Sequence, residues 1–312
     1  MDRRYFIQSL GLIATAAAVN AESLFGTEAG PRLAVTMDDP NSYPSPLMSP
    51  AERDENIRRA LRNSGLKAAL FVCGERVDNP AGKTLLKNWD VESNLICNHS
   101  YSHWYLPSKK INLEDYTADI TKCEKLISHH GNFTKLFRFP YLKEGDTIEK
   151  RDGVRGYLNA HGYRNGYVTI DASDWYYNQR LESALKKNPK TDLAPYRDAY
   201  CAHILDRANY YRNLSLDVLD REIPHTLLIH HNLLNALFLG DLIAMFNSEG
   251  WELIDASGAY VDPIFASNPD IVPAGEGIVW ALAKETGRFE NRLRYPAEDS
   301  VYEEAALDSL GL

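Results

Sequence analysis

Short apolar runs alternate with helix-patterned segments from residue 32 to residue 255, and this alternation limits the possible folds more than any other feature of the chain. RLAVTM opens the series. ERDENIRRALRNSG comes next as a helix, with Ile57 and Leu61 on one stripe and Gly65 as its stop. LKAALFVC, ESNLICN, KLFRF, YVTIDA, HTLLIH and WELI read as further strands. AGKTLLKNWD, INLEDYTADITKCEKLISHHG, GVRGYLNAHG, a long segment from Leu193 to about Arg221, and NLLNALFLGDLIAMFNSEG read as the helices between them. About seven strand–helix units result, and parallel strands need such crossovers. The expected class is α/β, a (β/α) barrel with fewer than eight strands. A doubly wound dinucleotide fold lacks its fingerprint, because no glycine-rich loop comes after the first strand.

Composition agrees with one large domain: 312 residues, 44% of them hydrophobic, are enough for a substantial core. The net charge of -9 offers no basic field for nucleic acid. The first residues, MDRRYFIQSLGLIATAAAVNA, read as an export signal over 1–21, and the Arg3-Arg4 pair resembles a twin-arginine signal. The expected location is therefore periplasmic or secreted. No later run is long and apolar enough to span a bilayer. Four cysteines form no CxxC pair. Cys73 and Cys97 end two apolar runs, and export permits a disulfide between them. Residues 256–312 carry short helical segments without partner strands, and are expected to pack on the barrel as an appendage.

Barrel enzymes place their chemistry at the C-terminal ends of strands. Those ends carry Asp38-Asp39, then NHSYSHWYLP with His99 and His103, then Arg138-Phe139-Pro140-Tyr141, then DASDW, and finally His230-His231. If the chain turns helical after Asn98, His99 and His103 share one face and offer one metal two ligands. Asp38 or Asp39 supplies the carboxylate that completes a two-His, one-carboxylate set. A bound metal polarises a carbonyl and acidifies water. The remaining aspartate serves as base, and His230 or His231 as acid.

TMDDPN, HSYSH, RFPY, DASDW and LLIHH resemble the five ordered motifs of the NodB-type polysaccharide deacetylases, carbohydrate esterase family 4. The resemblance covers residues 32–255 and implies a distorted (β/α)7 barrel. It implies Asp38 as catalytic base and Asp39, His99 and His103 as ligands of one divalent ion, Zn2+ first, with Co2+ or Ni2+ as alternatives. Arg138 would hold the base, Tyr141 would offer its main-chain N–H to the oxyanion, Asp174 would tune His230, and His230 would be the general acid. Trp175 would line the pocket. Trp104, and Tyr105 beside it, are candidates to stack on a sugar ring. The family's first motif usually closes with Gly where Pro40 stands here, so the loop after Asp39 is expected to differ.

The implied function is metal-dependent removal of acetyl groups, N-acetyl on an amino sugar first, with an acetylated glycan as partner. O-acetyl ester hydrolysis, hydrolysis of a non-sugar amide, and non-catalytic glycan binding are the alternatives.

Overall fold

The protein is described by a computed structural model covering residues 30–295 and 297–312. The expected export signal lies outside them. The first strand, β1 (Arg32–Asp38), is central: every residue from Leu33 to Asp38 is buried, and strands flank it on both sides. Around it stand β2 (Ala69–Val72), β3 (Leu95–Asn98), β4 (Phe133–Phe137), β5 (Lys143–Gly145), β6 (Arg164–Asn165), β7 (Pro224–His230) and β8 (Glu252–Leu253). All but β5 join one parallel sheet in the order β6-β4-β3-β2-β1-β7, with β8 beside β1. The sheet curls into a half-barrel wrapped by helices, the distorted (β/α)7 form that the resemblance implies and that agrees with the alternation. In register, Asp38 faces Phe71 on one side and His230 on the other. The base candidate and the acid candidate therefore sit opposite each other on one rung.

The helices obey local rules. Helix α1 (Pro50–Asn63) starts with a capping box from Ser49 and Glu52, carries Pro50 in its first turn, and buries Ile57 and Leu61. After it come α2 (Gly74–Val77), α3 (Pro80–Val91), α4 (Leu113–Ile127), α5 (Ile148–Ala160), α6 (Asp174–Lys187), α7 (Ala194–Leu219) and α8 (Leu233–Ser248). The α6 segment is an addition to the helices expected from periodicity. YVTIDA differs as well: it is not a regular strand, and only Ile170 bridges β7, at Leu227. Its threonine interrupts the ladder. Thr169 Oγ1 accepts the Thr226 N–H at 2.8 Å, so a side chain takes a bond that a strand would give to main chain.

Residues beyond 255 return to the barrel. After α9 (Ala256–Ala259), β9 (Ala274–Gly275) pairs antiparallel with β5, α10 (Ile278–Thr286) packs on α7, and α11 (Ser300–Ser309) comes last. Gly275 has φ +131°, and a Cβ there would lie 2.1 Å from the Leu142 carbonyl oxygen. Only glycine permits that approach. Cys73 and Cys97 do not form the disulfide that export would permit: both are buried free thiols. Cys97 lies in β3 opposite Phe71, while Cys73 comes just past the end of β2 and caps α2. No helix among the described residues is long and apolar enough to cross a membrane.

Candidate active site

The strand ends open into a pocket of about 600 Å³, lined among others by Asp38, Asp39, His99, His103, Tyr141, Trp175 and His230. This is the size of a small-ligand site. Asp39, His99 and His103 each place one donor atom within 4.8 Å of the others. The set fits a divalent ion for three reasons. Asp39 Oδ1 is buried without a hydrogen-bond partner. His99 Nδ1 lies 2.8 Å from the Arg138 carbonyl oxygen and must donate to it, which leaves Nε2 as the free lone pair. Burial lowers the pKa of both imidazoles against the pull of Asp39, so they stay neutral, the form that ligates.

The two histidines do not share a helical face as the spacing suggests. HSYSH is a loop, with Ser100 at φ 63° and His103 at φ 54°. Asp119 on α4 pins it. Its Oδ2 accepts the N–H groups of Tyr101 and Ser102, each at 2.9 Å, and its Oδ1 accepts the Ser102 hydroxyl at 2.8 Å. Asp119 lies in mid-helix and carries no strand-end signal, so sequence reasoning misses it. In the first-motif loop the left-handed residue comes just before the proline. Asp39 itself takes φ 59° ahead of Pro40. Tyr141 has φ 58°. Each left-handed non-glycine residue stores about 1–3 kcal/mol, and such strain gathers at sites held by their surroundings.

Asp38 is buried and paired with Arg138 through Oδ1. Burial raises its pKa, against Arg138, His230 and His103, which favour its ionised form. Arg138 has no freedom. Its Nε donates to the Gly166 carbonyl oxygen at 2.9 Å, and its Nη2 donates to Thr36 Oγ1 and Tyr260 OH at 3.0 Å each. The guanidinium also lies over the Phe71 ring, 3.7 Å from its centroid. Gly166 is forced by this packing, because a Cβ there would come within 2.3 Å of Phe71.

Asp174, fully buried at the start of α6, holds His230. Its Oδ1 lies 2.7 Å from His230 Nδ1, and its Oδ2 accepts the His230 N–H and the amides of Asn232 and Asn235, each at 2.9 Å. Burial alone would lower the His230 pKa, but the Asp174 carboxylate outweighs it and carries the value up to about 9. His231 turns into the layer between sheet and helices. Its Nε2 lies 3.3 Å from Asp54 Oδ1, a buried carboxylate that also accepts the Trp89 indole N–H at 2.7 Å. Burial lowers the His231 pKa.

The His230 pair has a consequence for stability. A histidine raised from about 6.5 to about 9 stabilises the fold fully below pH 6.5 and loses that contribution as pH rises through 9. The metal-free protein should therefore lose about 3 kcal/mol over that window from this group. Urea unfolding at pH 6 and pH 10 should show the drop, and the His230→Gln protein should show a smaller one. Equal drops in both proteins would refute the assignment.

Around the centre, Trp175 is 37% exposed and Tyr141 57% exposed, both on the pocket wall. The Tyr141 ring meets His103 edge-on at 4.7 Å between centroids, and Tyr105 meets Tyr141 at 5.6 Å. Trp104 does not reach the pocket. It packs against the small cluster of Leu106, Tyr116, Phe137 and Phe139, and Tyr105 is the ring of that pair that lines the opening.

The chain matches the family model described as polysaccharide deacetylase over residues 26–166. No curated protein matches it. Among solved structures, a family 4 carbohydrate esterase from Streptomyces lividans in complex with acetate is 19% identical, with a TM-score of 0.46 over 72% of this chain and 91% of the other. A peptidoglycan deacetylase from Bacillus subtilis is 21% identical, with a TM-score of 0.49 over 74% and 91%. A CE4 family pseudoenzyme from Bacillus anthracis is 14% identical, with a TM-score of 0.51 over 74% and 65%. Only the last of these likenesses exceeds a TM-score of 0.5, and at its identity it speaks to the fold alone.

Proposed function

We propose, from the family model matched over residues 26–166 and from the geometry of the pocket, that the chain is a polysaccharide deacetylase that removes N-acetyl groups from amino-sugar units of a polysaccharide and releases acetate. One observation carries this reading. A donor set of Asp39, His99 and His103 stands between a carboxylate held by Arg138 and an imidazole held by Asp174. Base, ligands and acid thus line one pocket, each fixed by a partner of its own.

Asp39, His99 and His103 would hold the ion, with Zn2+ the first choice for one carboxylate and two imidazoles. When bound, it supplies Lewis acidity to the acyl carbonyl and to water. Asp38 takes the proton of the attacking water. Arg138 keeps that carboxylate charged, and burial keeps it basic enough to accept a proton. The Tyr141 main-chain N–H donates to the oxygen on which charge develops. His230, an imidazolium by virtue of Asp174, gives its proton to the departing amine. Trp175 and Tyr105 offer flat surfaces to the sugar. Activity should rise with pH as Asp38 ionises and fall as His230 loses its proton, at or below about pH 9.

The deciding experiment measures acetate and free amine released from N- and O-acetylated sugars, oligomers and wall fragments, with Zn2+, Co2+ and Ni2+ added in turn. Acetate with an equal amount of amine supports the reading. Acetate without amine makes the protein an esterase.

A paired substitution tests the acid. His230→Ala should keep its metal and lose most turnover on the amide, but less on an ester with an activated leaving group, which needs little help from an acid. His231→Ala, altered away from the reacting groups, should remain far more active on both. The reverse order in folded, metal-loaded proteins would place the acid one residue later.

A further inference from the structure

The pocket continues past the reacting groups to a wall that the residues after 255 help to build. Lys143 and Asp171 come from the barrel, and Glu276, Glu298 and Asp299 from the C-terminal segment. Two of these carboxylates are neutralised. Glu276 pairs with Lys143, while Glu298 takes Arg294 at 2.9 Å and Arg207 at 3.3 Å. Asp171 and Asp299 form no ion pair among the described residues. Asp171 is the telling one. It is only 7% exposed, its Oδ1 accepts the Ala172 N–H at 2.9 Å, its Oδ2 has no hydrogen-bond partner among the described residues, and the residue lines the pocket. Asp299 uses Oδ1 to cap α11, accepting the Val301 N–H and the Ser300 hydroxyl at 3.1 Å each, and its Oδ2 has no hydrogen-bond partner among the described residues. Burial, with Glu298 adding to it, pushes the Asp171 carboxyl up to about 8 against the pull of Lys143 and His230, so a further cation set against it favours its charged form.

We propose that this wall is a second subsite that takes the ammonium group of a free-amine sugar unit next to the N-acetyl unit being hydrolysed. The inference rests on the deacetylase reading and extends it. A neutral sugar hydroxyl can satisfy a carboxyl oxygen but brings no charge to a wall where Asp171 and Asp299 lack an ion pair of their own. An ammonium group brings a charge and three donors. The reaction itself makes such a group. A glycan deacetylated once presents an amine beside a remaining N-acetyl unit, and would fit the pocket better than the untouched chain. The class of reaction that supplies the preferred substrate is thus deacetylation itself.

The test compares kcat/KM on a fully N-acetylated glucosamine trisaccharide with that on two isomers carrying one free amine, on either neighbour of the remaining target unit. The wild-type protein should favour one isomer by about fivefold or more, the worth of a partly buried ion pair. Asp171→Asn and Asp299→Asn should each bring that ratio toward one. Because the ratio is taken on one protein sample, it is independent of the active fraction. Acetate from the fully acetylated compound with no preference for either isomer overturns the subsite and leaves the deacetylase reading standing. A preference that survives both substitutions also overturns it. If no compound yields acetate, the deacetylase reading fails, and calorimetry of glucosamine against N-acetylglucosamine on the metal-free protein decides the subsite. Equal or absent binding of the two overturns it.

Discussion

Asp38→Asn is expected to lower turnover by about 10²–10⁴-fold, the usual worth of a positioned proton acceptor, with metal content unchanged. The amide keeps the volume and can still accept one bond from Arg138, but it cannot take a proton. Arg138 keeps its other bonds, to Gly166, Thr36 and Tyr260, so the scaffold around position 38 should stand. The check is single-turnover acetate release alongside metal analysis and a urea melt. A folded, metal-loaded Asp38→Asn protein working near the normal rate would remove Asp38 as base, and Arg138 from its supporting part.

His99→Ala is expected to abolish most metal binding and, with it, nearly all activity. Three protein donors are already the minimum for a catalytic site, and the lost imidazole is the one whose tautomer is fixed by the Arg138 carbonyl. Its absence would leave two donors and an unanswered carbonyl. Metal content after dialysis against a weak chelator, compared between wild type and His99→Ala, gives the answer. Full occupancy with unchanged affinity would exclude His99 as a ligand. Removal of metal from the wild-type protein should abolish turnover reversibly, with recovery on adding the ion back.

Much of this site is legible in the sequence because a parallel α/β sheet gathers its strand ends in one place. Asp38, His99, Arg138, Asp174 and His230 are far apart in the chain, yet each stands at or just past the end of an apolar run. The choice between His230 and His231 is not legible from pattern. HTLLIH is apolar on both faces, so parity cannot say which histidine meets the pocket. Asp174 and Asp54 decide it by holding one ring each. HSYSH mimics a helix because i, i+4 spacing is also met by a turn containing two left-handed residues. Thr169 hides the break in YVTIDA, since its hydroxyl replaces a ladder bond without changing β propensity. Tyr260, Glu276 and Asp299 leave no trace in the sequence. They come from a segment with no strand pattern, and their relevance arises only through its return to β5 and to Arg138.

The pairing of β1 with β7 sets residues 32–38 against 224–230, so the middle of the sheet closes over most of the described chain. Contacts of that separation are the slow ones to form, because the intervening loop must be ordered before they repay its entropy. As the chain emerges from the ribosome, β1 has only β2 for a neighbour, and its other edge stays bare until residue 224 is made. Between Arg32 and Asp38 that edge carries no charge of the kind that guards permanent edges. The interval between synthesis of β2 and of β7 is therefore the time of greatest exposure to aggregation, and a chain stopped short of β7 carries the hazard permanently. Catalytic competence and escape from that hazard arrive together, on the rung that joins Asp38 to His230.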